Sequence, residues 1–403
     1  MRDIFRKRRM WNFRSELKPS YDVVIIGGGA HGLAAAHYLA QQGITDVAVI
    51  EKSYIGSGAA GRNTTILRSN YKTPEGARFY DASVKLYEGL GAELDFNLLF
   101  SQCGHLSLAH SDRAMFVMAN RAEVNRLQGI DSQLIGPDQV QELAPAMYVG
   151  PDTAYPIMGA LYHPPGGIIR HDAVVWGFAR SADEGGVEIH PYTEVTGLRR
   201  EGDRIAAVET DKGTVRAGTV LNCTAGWSSL IAEMAGLRLP ITTHILQACV
   251  TEPVKPFLDV VIVSSQMHVY ISQSDRGEFV MGSEIEPWTT YRTQNTLNFL
   301  QDLARDTIEL FPQLERARLL RAWAGLCDLS PDYSPILGAT EVENFHVSAG
   351  WGTYGFKAAP IVGKTLAELV ATGRTPELIA PFALKRFYTD ELVSELAAAA
   401  VSH

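Results

Sequence analysis

The stretch YDVVIIGGGAHGLAAAHYLAQQGITDVAVIEKS, residues 21–53, decides the fold. Its apolar run Val23–Ile26 is typical of a strand that is buried on both faces of a sheet. A glycine-rich turn follows at once, then an apolar pattern at helical spacing through residues 33–39, and then a second apolar run, Val47–Ile50. That second run ends in Glu51. Strand, glycine turn, helix, strand and terminal acid in this order predict a βαβ unit that binds a dinucleotide.

The glycines of the turn, Gly27-x-Gly29-x-x-Gly32, each have a physical reason to be there. Gly27 makes the tight turn, Gly29 lets a pyrophosphate approach the backbone, and Gly32 lets helix and strand pack closely. The pyrophosphate then lies at the positive end of the helix dipole, among N–H groups that have no helical partner. We expect Glu51 to accept hydrogen bonds from the adenosine ribose and to repel a 2′-phosphate.

Three further segments favour FAD over NAD as the dinucleotide. The small-residue loop Ser53–Arg68 resembles the second flavin-contacting segment of glutathione-reductase-type FAD proteins. Val220–Ser229 has the pattern of a strand that runs into an Ala-Gly turn, and Phe345–Gly373 that of a strand, a glycine loop and an amphipathic helix. A glycine loop at a helix N-terminus suits the flavin pyrimidine, whose N1–C2=O region becomes negative on reduction. A nicotinamide-binding domain has no reason to return to its cofactor so late in the chain.

Composition bounds the function classes. The 403 residues carry a formal net charge of −9, which argues against a nucleic-acid binder because no overall positive field attracts phosphates. The four cysteines form no CxxC pair or ligand spacing, so we expect a reducing, cytoplasmic setting and no structural metal. No stretch reaches the roughly 18 uninterrupted apolar residues that a membrane span requires, so we expect no membrane association.

The predicted fold is α/β: a discontinuous, glutathione-reductase-type FAD-binding Rossmann domain with an inserted antiparallel-sheet substrate domain. Residues 241–290 alternate like antiparallel strands, and residues 293–311 have helical spacing with Thr293 as a candidate cap. The basic run Arg6–Arg9 is either solvated or docks on a partner chain with an acidic surface. The predicted boundaries are 20–105, 160–235 and 325–385 for the FAD-binding domain, 106–159 and 236–324 for the substrate domain, and 1–19 for a basic N-terminal arm.

From about Tyr21 to Pro381 the chain resembles the D-amino-acid-oxidase-type family of FAD-dependent amine and imino-acid oxidoreductases. Within that family it is similar to the β subunits of heterotetrameric sarcosine oxidases. The stretches that carry this similarity are GGGAHGLAAAHYLA, SYIGSGAAGRNTTILRSNY, GGIIRHDAVVWGFAR, RAWAGLCDLSPDYSPILG and GWGTYGFKAAPIVG. The motifs that carry the family resemblance are Gly27–Gly32, Glu51, Ala225–Trp227 and Gly350–Lys357.

The resemblance implies a specific reaction. Such subunits oxidise sarcosine (N-methylglycine) with non-covalent FAD, and the electrons pass to a second flavin, FMN, held covalently on a histidine, and then to oxygen, which gives hydrogen peroxide. The methylene group becomes formaldehyde or is passed to tetrahydrofolate on the large α subunit. That α subunit also carries NAD, and γ and δ subunits complete the particle.

The resemblance also implies roles for individual residues. Arg68 and Lys357 match the positions that bind the substrate carboxylate, although Arg68 also suits a structural ion pair and Lys357 a solvated helix start. His268 and Tyr270 either influence the substrate amine or are ordinary strand residues. The residues expected to contact FAD are Gly27, Gly29, Ala30, His31, Gly32, Glu51, Lys52, Ser57, Arg62, Asn63, Thr64, Gly226, Gly352, Gly355 and Lys357.

His171 matches the histidine that carries FMN. A neutral imidazole is a suitable nucleophile toward the 8α carbon of a flavin. The alternative is a histidine that only packs or caps the start of a helix, although Asp172 already suits the cap position.

Two departures from the single-flavin relatives bear on the electron path. Those enzymes carry an oxygen-activating lysine where this sequence has residues 279–281, Phe-Val-Met, so we expect oxygen to react poorly at this FAD. Their covalent FAD anchor falls near Gly325 and not on Cys327, which indicates non-covalent FAD. Two alternatives stay open: a related subunit that oxidises proline, glycine or another N-alkyl amino acid, and a non-catalytic flavin subunit for electron transfer or assembly.

Overall fold

The computed structural model describes residues 10–12, 16–150 and 152–395, so that the basic run Arg6–Arg9 lies outside the described residues. Within them the strands, in chain order, are β1 (Ser20–Ile26), β2 (Val47–Ile50), β3 (Ile66–Leu67), β4 (His105–Ala109), β5 (Gln133–Ile135), β6 (Gly159–His163), β7 (Gly167–Ile168), β8 (Glu188–His190), β9 (Val195–Glu201), β10 (Arg204–Thr210), β11 (Gly213–Asn222), β12 (Thr242–Thr251), β13 (Val261–Ser264), β14 (Val269–Gln273), β15 (Phe279–Ile285), β16 (Leu319–Leu329), β17 (Ile336–Ala339) and β18 (Phe345–Ala349). The α-helices are α1 (Ala30–Gln41), α2 (Pro74–Glu93), α3 (Asp112–Leu127), α4 (Pro137–Leu143), α5 (His171–Glu184), α6 (Ser228–Met234), α7 (Leu297–Leu310), α8 (Ala359–Thr372) and α9 (Arg386–Thr389).

The first large sheet has the predicted βαβ unit at its centre. Its strand order is β17-β18-β11-β1-β2-β8, and the hairpin of β9 and β10 extends it beside β11. The strands from β18 to β8 run parallel, and β17 pairs antiparallel with β18. In β1, Val23 and Ile25 join the core under α1, α5 and α8, whereas Val24 and Ile26 join the core on the opposite face. The strand is therefore apolar on both sides, as the sequence predicts.

The second large sheet has the order β16-β12-β15-β14-β13-β4-β6-β5. Its pairs are antiparallel except for β4 with β13. Along β4 the side chains alternate, so Leu106 and Leu108 face a core shared with α7, and His105 points to the other face. That other face looks toward the first sheet, and the two sheets enclose a cavity between them.

The predicted helix cap in this region is wrong. Helix α7 begins at Leu297, where the Thr296 hydroxyl accepts the backbone N–H of Phe299, so Thr296 and not Thr293 is the cap. The Thr296 hydroxyl also accepts from the side-chain amide of Gln247 on β12, a long-range contact that local sequence does not reveal.

The mixed α/β architecture with two multi-stranded sheets confirms the predicted fold class. The boundaries proposed for the two domains stay a prediction. Within the described ranges, no helix is both long and apolar enough to cross a membrane.

Candidate functional site

A cavity of about 570 Å³ lies between the two sheets. That volume is in the range of small-molecule and cofactor sites. Among the residues predicted for the site, those that line the cavity are Gly27, Gly29, Ala30, His31, Glu51, Lys52, Ser57, Arg62, Asn63, Thr64, Arg68, Tyr270, Gly352, Gly355 and Lys357.

The glycine turn after β1 has the geometry expected for a phosphate-binding loop. Gly27 has φ +110°, and a Cβ there would lie 2.5 Å from the carbonyl oxygen of Cys223. At Gly32 a Cβ would lie 2.0 Å from the carbonyl oxygen of Gly27, so only glycine permits this approach of α1 to the turn. Gly29 caps α1 without a side-chain acceptor, and space is open where its Cβ would be. The first N–H groups of α1 are thus available to an anionic group in the cavity.

Glu51 is fixed at the end of β2 by backbone donors. The N–H of Gly28 donates to its Oε2 at 2.9 Å and the N–H of Ser53 to its Oε1 at 2.9 Å. The carboxylate lines the cavity with acceptor capacity remaining, since each oxygen has two lone pairs. This arrangement fits a ribose diol beside the phosphate-binding turn.

The loop after β2 forms a second wall of the cavity. Asn63 shapes it locally, because its amide donates to the carbonyl of Ala60 and its Oδ1 accepts the N–H of Thr65 at 2.7 Å. The ammonium of Lys52 lies 4.1 Å from the ring centroid of Trp227, so that a cation–π contact joins this wall to the turn after β11.

The glycine loop after β18 is tied to α1 through His31. Its Nε2 donates to the carbonyl of Gly355 at 2.7 Å, and its Nδ1 lies 3.0 Å from the hydroxyl of Ser348. Burial lowers the pKa of His31 to about 4, so the ring is neutral at physiological pH. His31 therefore positions the two glycine motifs, which lie far apart in sequence, against each other. Together they supply backbone donors, a ribose acceptor and a helix N-terminus on one wall, which fits FAD.

Two cations lie deep in the cavity. Arg68 is 6% exposed, and its Nη1 donates to the carbonyl and the side-chain oxygen of Asn70 at 3.2 and 2.9 Å. Lys357 is 8% exposed, and burial together with the charge of Arg68 holds the pKa of its ammonium well below the usual range. Two buried basic groups in one cavity can bind an anion through charge-assisted hydrogen bonds.

Four predicted site residues do not line the cavity: Gly32, Gly226, His268 and His171. Gly32 packs α1 on the turn, and Gly226 lies against Leu326 behind the cavity wall. His268 is in the turn before β14 with φ +49°, not in the predicted strand, and it does not line the cavity, whereas Tyr270 does.

His171 is the first residue of α5 and lies outside this cavity. It is half-buried, and burial lowers the pKa of its imidazole, which favours the neutral ring. Asp172 is not the cap that the sequence suggested, because Arg170 occupies that position. The Asp172 carboxylate instead pairs with the Arg170 guanidinium at 3.0 Å and accepts the N–H of Ala173 at 2.9 Å.

Sequence reasoning missed His105 and Asp328, which both line the cavity. Burial raises the pKa of Asp328 to about 6, and its Oδ2 accepts the N–H of Gly350 at 2.6 Å, which secures the second glycine loop. Alternation along β4 was the available signal for His105, since it is the polar position opposite Leu106. Within the described ranges, no three His, Cys, Asp or Glu side chains come together as metal ligands.

Comparison with known proteins gives the family. The FAD dependent oxidoreductase (DAO) family matches residues 22–369. Sarcosine oxidase subunit beta from Arthrobacter sp is 46% identical over 389 residues, which cover 96% of each chain. The same subunit from Rhizobium meliloti (strain 1021) is 46% identical over 380 residues, 94% of this chain and 91% of the relative. Among solved structures, L-proline dehydrogenase from P. horikoshii has a TM-score of 0.88 at 31% identity, covering 94% of this chain and 100% of that chain. The chain belongs to the DAO family of FAD-dependent oxidoreductases and, within it, to the family of sarcosine oxidase β subunits.

Proposed function

We propose that this chain oxidises sarcosine to glycine in a multi-subunit enzyme. The observation that carries the proposal is the pair of buried cations, Arg68 and Lys357, in the cavity that the dinucleotide motif also lines. A small amino acid needs its carboxylate neutralised in an otherwise closed site, and these two side chains supply that charge. The names of the relatives supply the substrate.

The bound FAD supplies the acceptor for a hydride, and an FMN on His171 the onward path to oxygen. The chain's own task is to bind the carboxylate, so that the N-methyl carbon is held in a fixed orientation, and to exclude water. The positive charge of Arg68, and of Lys357 once a carboxylate is bound, also lowers the pKa of a nearby substrate ammonium. The uncharged amine, from which hydride leaves more easily, is thereby favoured. Loss of hydride from the N-methyl carbon gives an imine, and its hydrolysis gives glycine and formaldehyde unless tetrahydrofolate takes the methylene group.

We propose that the FAD is bound non-covalently. Cys327 lines the cavity, but burial raises the pKa of its thiol well above the usual value, which suppresses the reactive thiolate. Gly325, near the family's anchor position, has no side chain that could form a covalent bond. A Cβ at this position would lie only 3.1 Å from the Cβ of Arg62.

We propose His171 as the attachment residue for FMN. Three features support this proposal. His171 matches the family's histidine, and its ring is neutral and half-buried at the start of α5. Residues 279–281 of β15 include no lysine that would activate oxygen at the FAD, so the electrons need another path to oxygen. We further propose α, γ and δ partner subunits, with NAD and tetrahydrofolate on α. A cytoplasmic location agrees with Cys103, Cys223, Cys249 and Cys327 as free thiols.

Anaerobic titration of the holoenzyme tests the substrate. We expect sarcosine to bleach the flavin absorbance, and D-alanine and proline to leave it unchanged. An Arg68→Met variant with normal FAD content should lose most of this response. If no amine bleaches the flavin absorbance, the chain is not an amine-oxidising enzyme, and the remaining hypothesis is a non-catalytic subunit for electron transfer or assembly.

Oxidation of proline is the second candidate, because L-proline dehydrogenase is 31% identical and covers 94% of this chain. If proline bleaches the flavin absorbance at a lower concentration than sarcosine does, proline is the substrate. Glycine and other N-alkyl amino acids belong in the same titration series.

Peptide mass tests the FMN attachment. Trypsin cleaves after Arg170 and Arg180, so the fragment HDAVVWGFAR begins with His171. We expect an FMN-sized addition on this fragment from the complex purified with its partners, and none in a His171→Asn variant that still releases FAD in acid. An unmodified wild-type fragment would refute the attachment.

A further inference from the structure

His105 is a buried histidine that lines the cavity and is used by no role assigned above. It is 1% exposed, and neither ring nitrogen has a hydrogen-bond partner among the described residues. Leaving a buried polar group unpaired costs free energy, which a ligand in the cavity recovers when it supplies the partner. His105 therefore carries an unmet hydrogen-bonding capacity in the cavity.

Its neighbour across the sheet shows what a structural histidine in this position looks like. His163 pairs with His105 between β6 and β4, and both of its ring nitrogens are satisfied. Its Nδ1 donates to the carbonyl of Asp131 at 2.7 Å, and its Nε2 accepts the N–H of Ser69 at 3.2 Å. Ser69 follows Arg68 directly, so His163 helps to fix the chain that carries the substrate-binding arginine.

The charged groups that act on the pKa of His105 are basic. Arg68 and Lys357 in the cavity, Arg121 on α3 and His163 all lower it. Burial and these charges lower the pKa of His105 well below its usual value, so that its ring is neutral, with one N–H donor and one acceptor. A neutral donor in the same cavity as Arg68 and Lys357 suits an anion and opposes a role as acceptor of the substrate's ammonium proton.

We propose that His105 is a substrate-binding residue that donates its ring N–H to the carboxylate held by Arg68 and Lys357. The proposal rests on the proposed function, because it assumes an amino-acid carboxylate in this cavity. It predicts that His105 contributes to affinity for carboxylates and not to proton removal. The substrate class it favours is a short α-amino acid whose carboxylate lies within reach of all three side chains.

The test uses two pairs of variants of matched shape, because one apolar variant alone could fail to fold. His105→Asn and His105→Leu have the same branching, and His105→Gln and His105→Met have similar length. The two amides place a donor near the position of Nδ1 and Nε2, respectively. Holoenzyme variants are titrated with methoxyacetate, which copies sarcosine with an ether oxygen in place of the amine and cannot be oxidised in the same way.

We expect the apolar member of at least one pair to bind methoxyacetate roughly 10- to 100-fold more weakly than its amide partner, as for loss of a hydrogen bond to a charged group. KM for sarcosine should rise with little change in kcat, and the pH profile of kcat should keep its shape. His346→Leu is the matched control, since His346 is also buried with an unpartnered Nδ1 but does not line the cavity.

Equal affinities within both pairs would overturn the proposal, as would a lost limb of the pH profile with unchanged methoxyacetate binding. A wild type that fails to bind methoxyacetate would overturn the carboxylate site and the role of His105 together. A wild type that binds methoxyacetate but is not reduced by sarcosine would refute the proposed function alone, and the variant pairs would still decide the role of His105.

Discussion

Proton uptake on carboxylate binding is the sharpest consequence of the cavity's charges. The ammonium of Lys357 is 8% exposed, and burial and the charge of Arg68 hold its pKa well below that of an exposed lysine. Over part of the pH range in which surface lysines are charged, Lys357 is therefore neutral in the free protein. A carboxylate ligand favours the charged form, because opposite charges attract strongly in a site of low dielectric.

The size of the effect follows from this linkage. Between the lowered pKa of the free protein and the higher pKa of the complex, binding takes up as much as one proton, and Kd rises up to about tenfold per pH unit as pH increases. Below the free-protein pKa, Lys357 is already protonated and affinity no longer depends on its titration. Lys357→Met should weaken carboxylate binding by roughly 10- to 150-fold, the range for a hydrogen bond to a charged group, at pH values where the wild-type complex is protonated.

Calorimetry measures both the proton uptake and the Kd for the carboxylate. Methoxyacetate has no amine of its own, so titrations in buffers of different ionisation enthalpy count only protons taken up by the protein. We expect uptake in the wild type and in Lys364→Met, which removes an exposed lysine of the same helix region, and none in Lys357→Met. Zero uptake by the wild type at every pH, or equal uptake in Lys357→Met, would refute the reasoning.

Three more predictions concern cofactor binding and the stability of the fold. Glu51→Ala should weaken FAD binding to the apoprotein roughly 10- to 100-fold by fluorescence titration, with the fold retained, because the ribose acceptor is lost. Gly363→Ala should lower Tm and FAD content, because its Cβ would lie 2.5 Å from the carbonyl carbon of Ala34 where α8 crosses α1; an unchanged Tm would contradict this. Asp332→Asn should cost about 3–5 kcal/mol in denaturant unfolding, because it leaves the buried Arg386 without its bidentate partner at 2.8 and 2.9 Å. Burial acts to raise the pKa of Asp332, but the ion pair with Arg386 opposes burial, and the pKa is lowered. The stabilisation by the ion pair is therefore fully present above the unfolded-state pKa near 3.8 and is lost as pH falls through the lower pKa of the folded protein. In acid, the free energies of unfolding of wild type and Asp332→Asn should become equal.

The parts of the site that sequence predicts are those that local chemistry defines. The turn from Gly27 to Gly32 and the acid at Glu51 follow from steric and electrostatic needs within one βαβ unit. Arg68 and Lys357 came from resemblance to a family, and the structure brings both into the cavity.

What sequence did not predict depends on contacts between distant segments. Alternation along β4 places His105 opposite Leu106, but only the packing of the second sheet against the first makes that face a wall of the cavity, and no local pattern specifies this packing. The cap of α7 falls on Thr296 and not on Thr293 because Gln247 of β12 also holds that hydroxyl. The sequence pattern assigned His268 to a strand, but His268 lies in a turn. Its φ is positive, which is unusual for a residue other than glycine.

The position of Lys357 shows how the cofactor wall and the substrate site depend on each other. The three successive carbonyls of residues 355–357 accept hydrogen bonds from His31 of α1 and from Tyr87 and Ser83 of α2, at 2.7, 2.8 and 2.7 Å. The backbone that carries the lysine is thus fixed from both helices, and its His31 contact comes from the same helix turn that faces the dinucleotide. Because a charged group in a buried site acts through its distance from the ligand, fixing this backbone fixes the electrostatic effect of Lys357. The same helix turn therefore carries the glycine motif proposed to bind the cofactor and positions the lysine proposed to hold the substrate carboxylate.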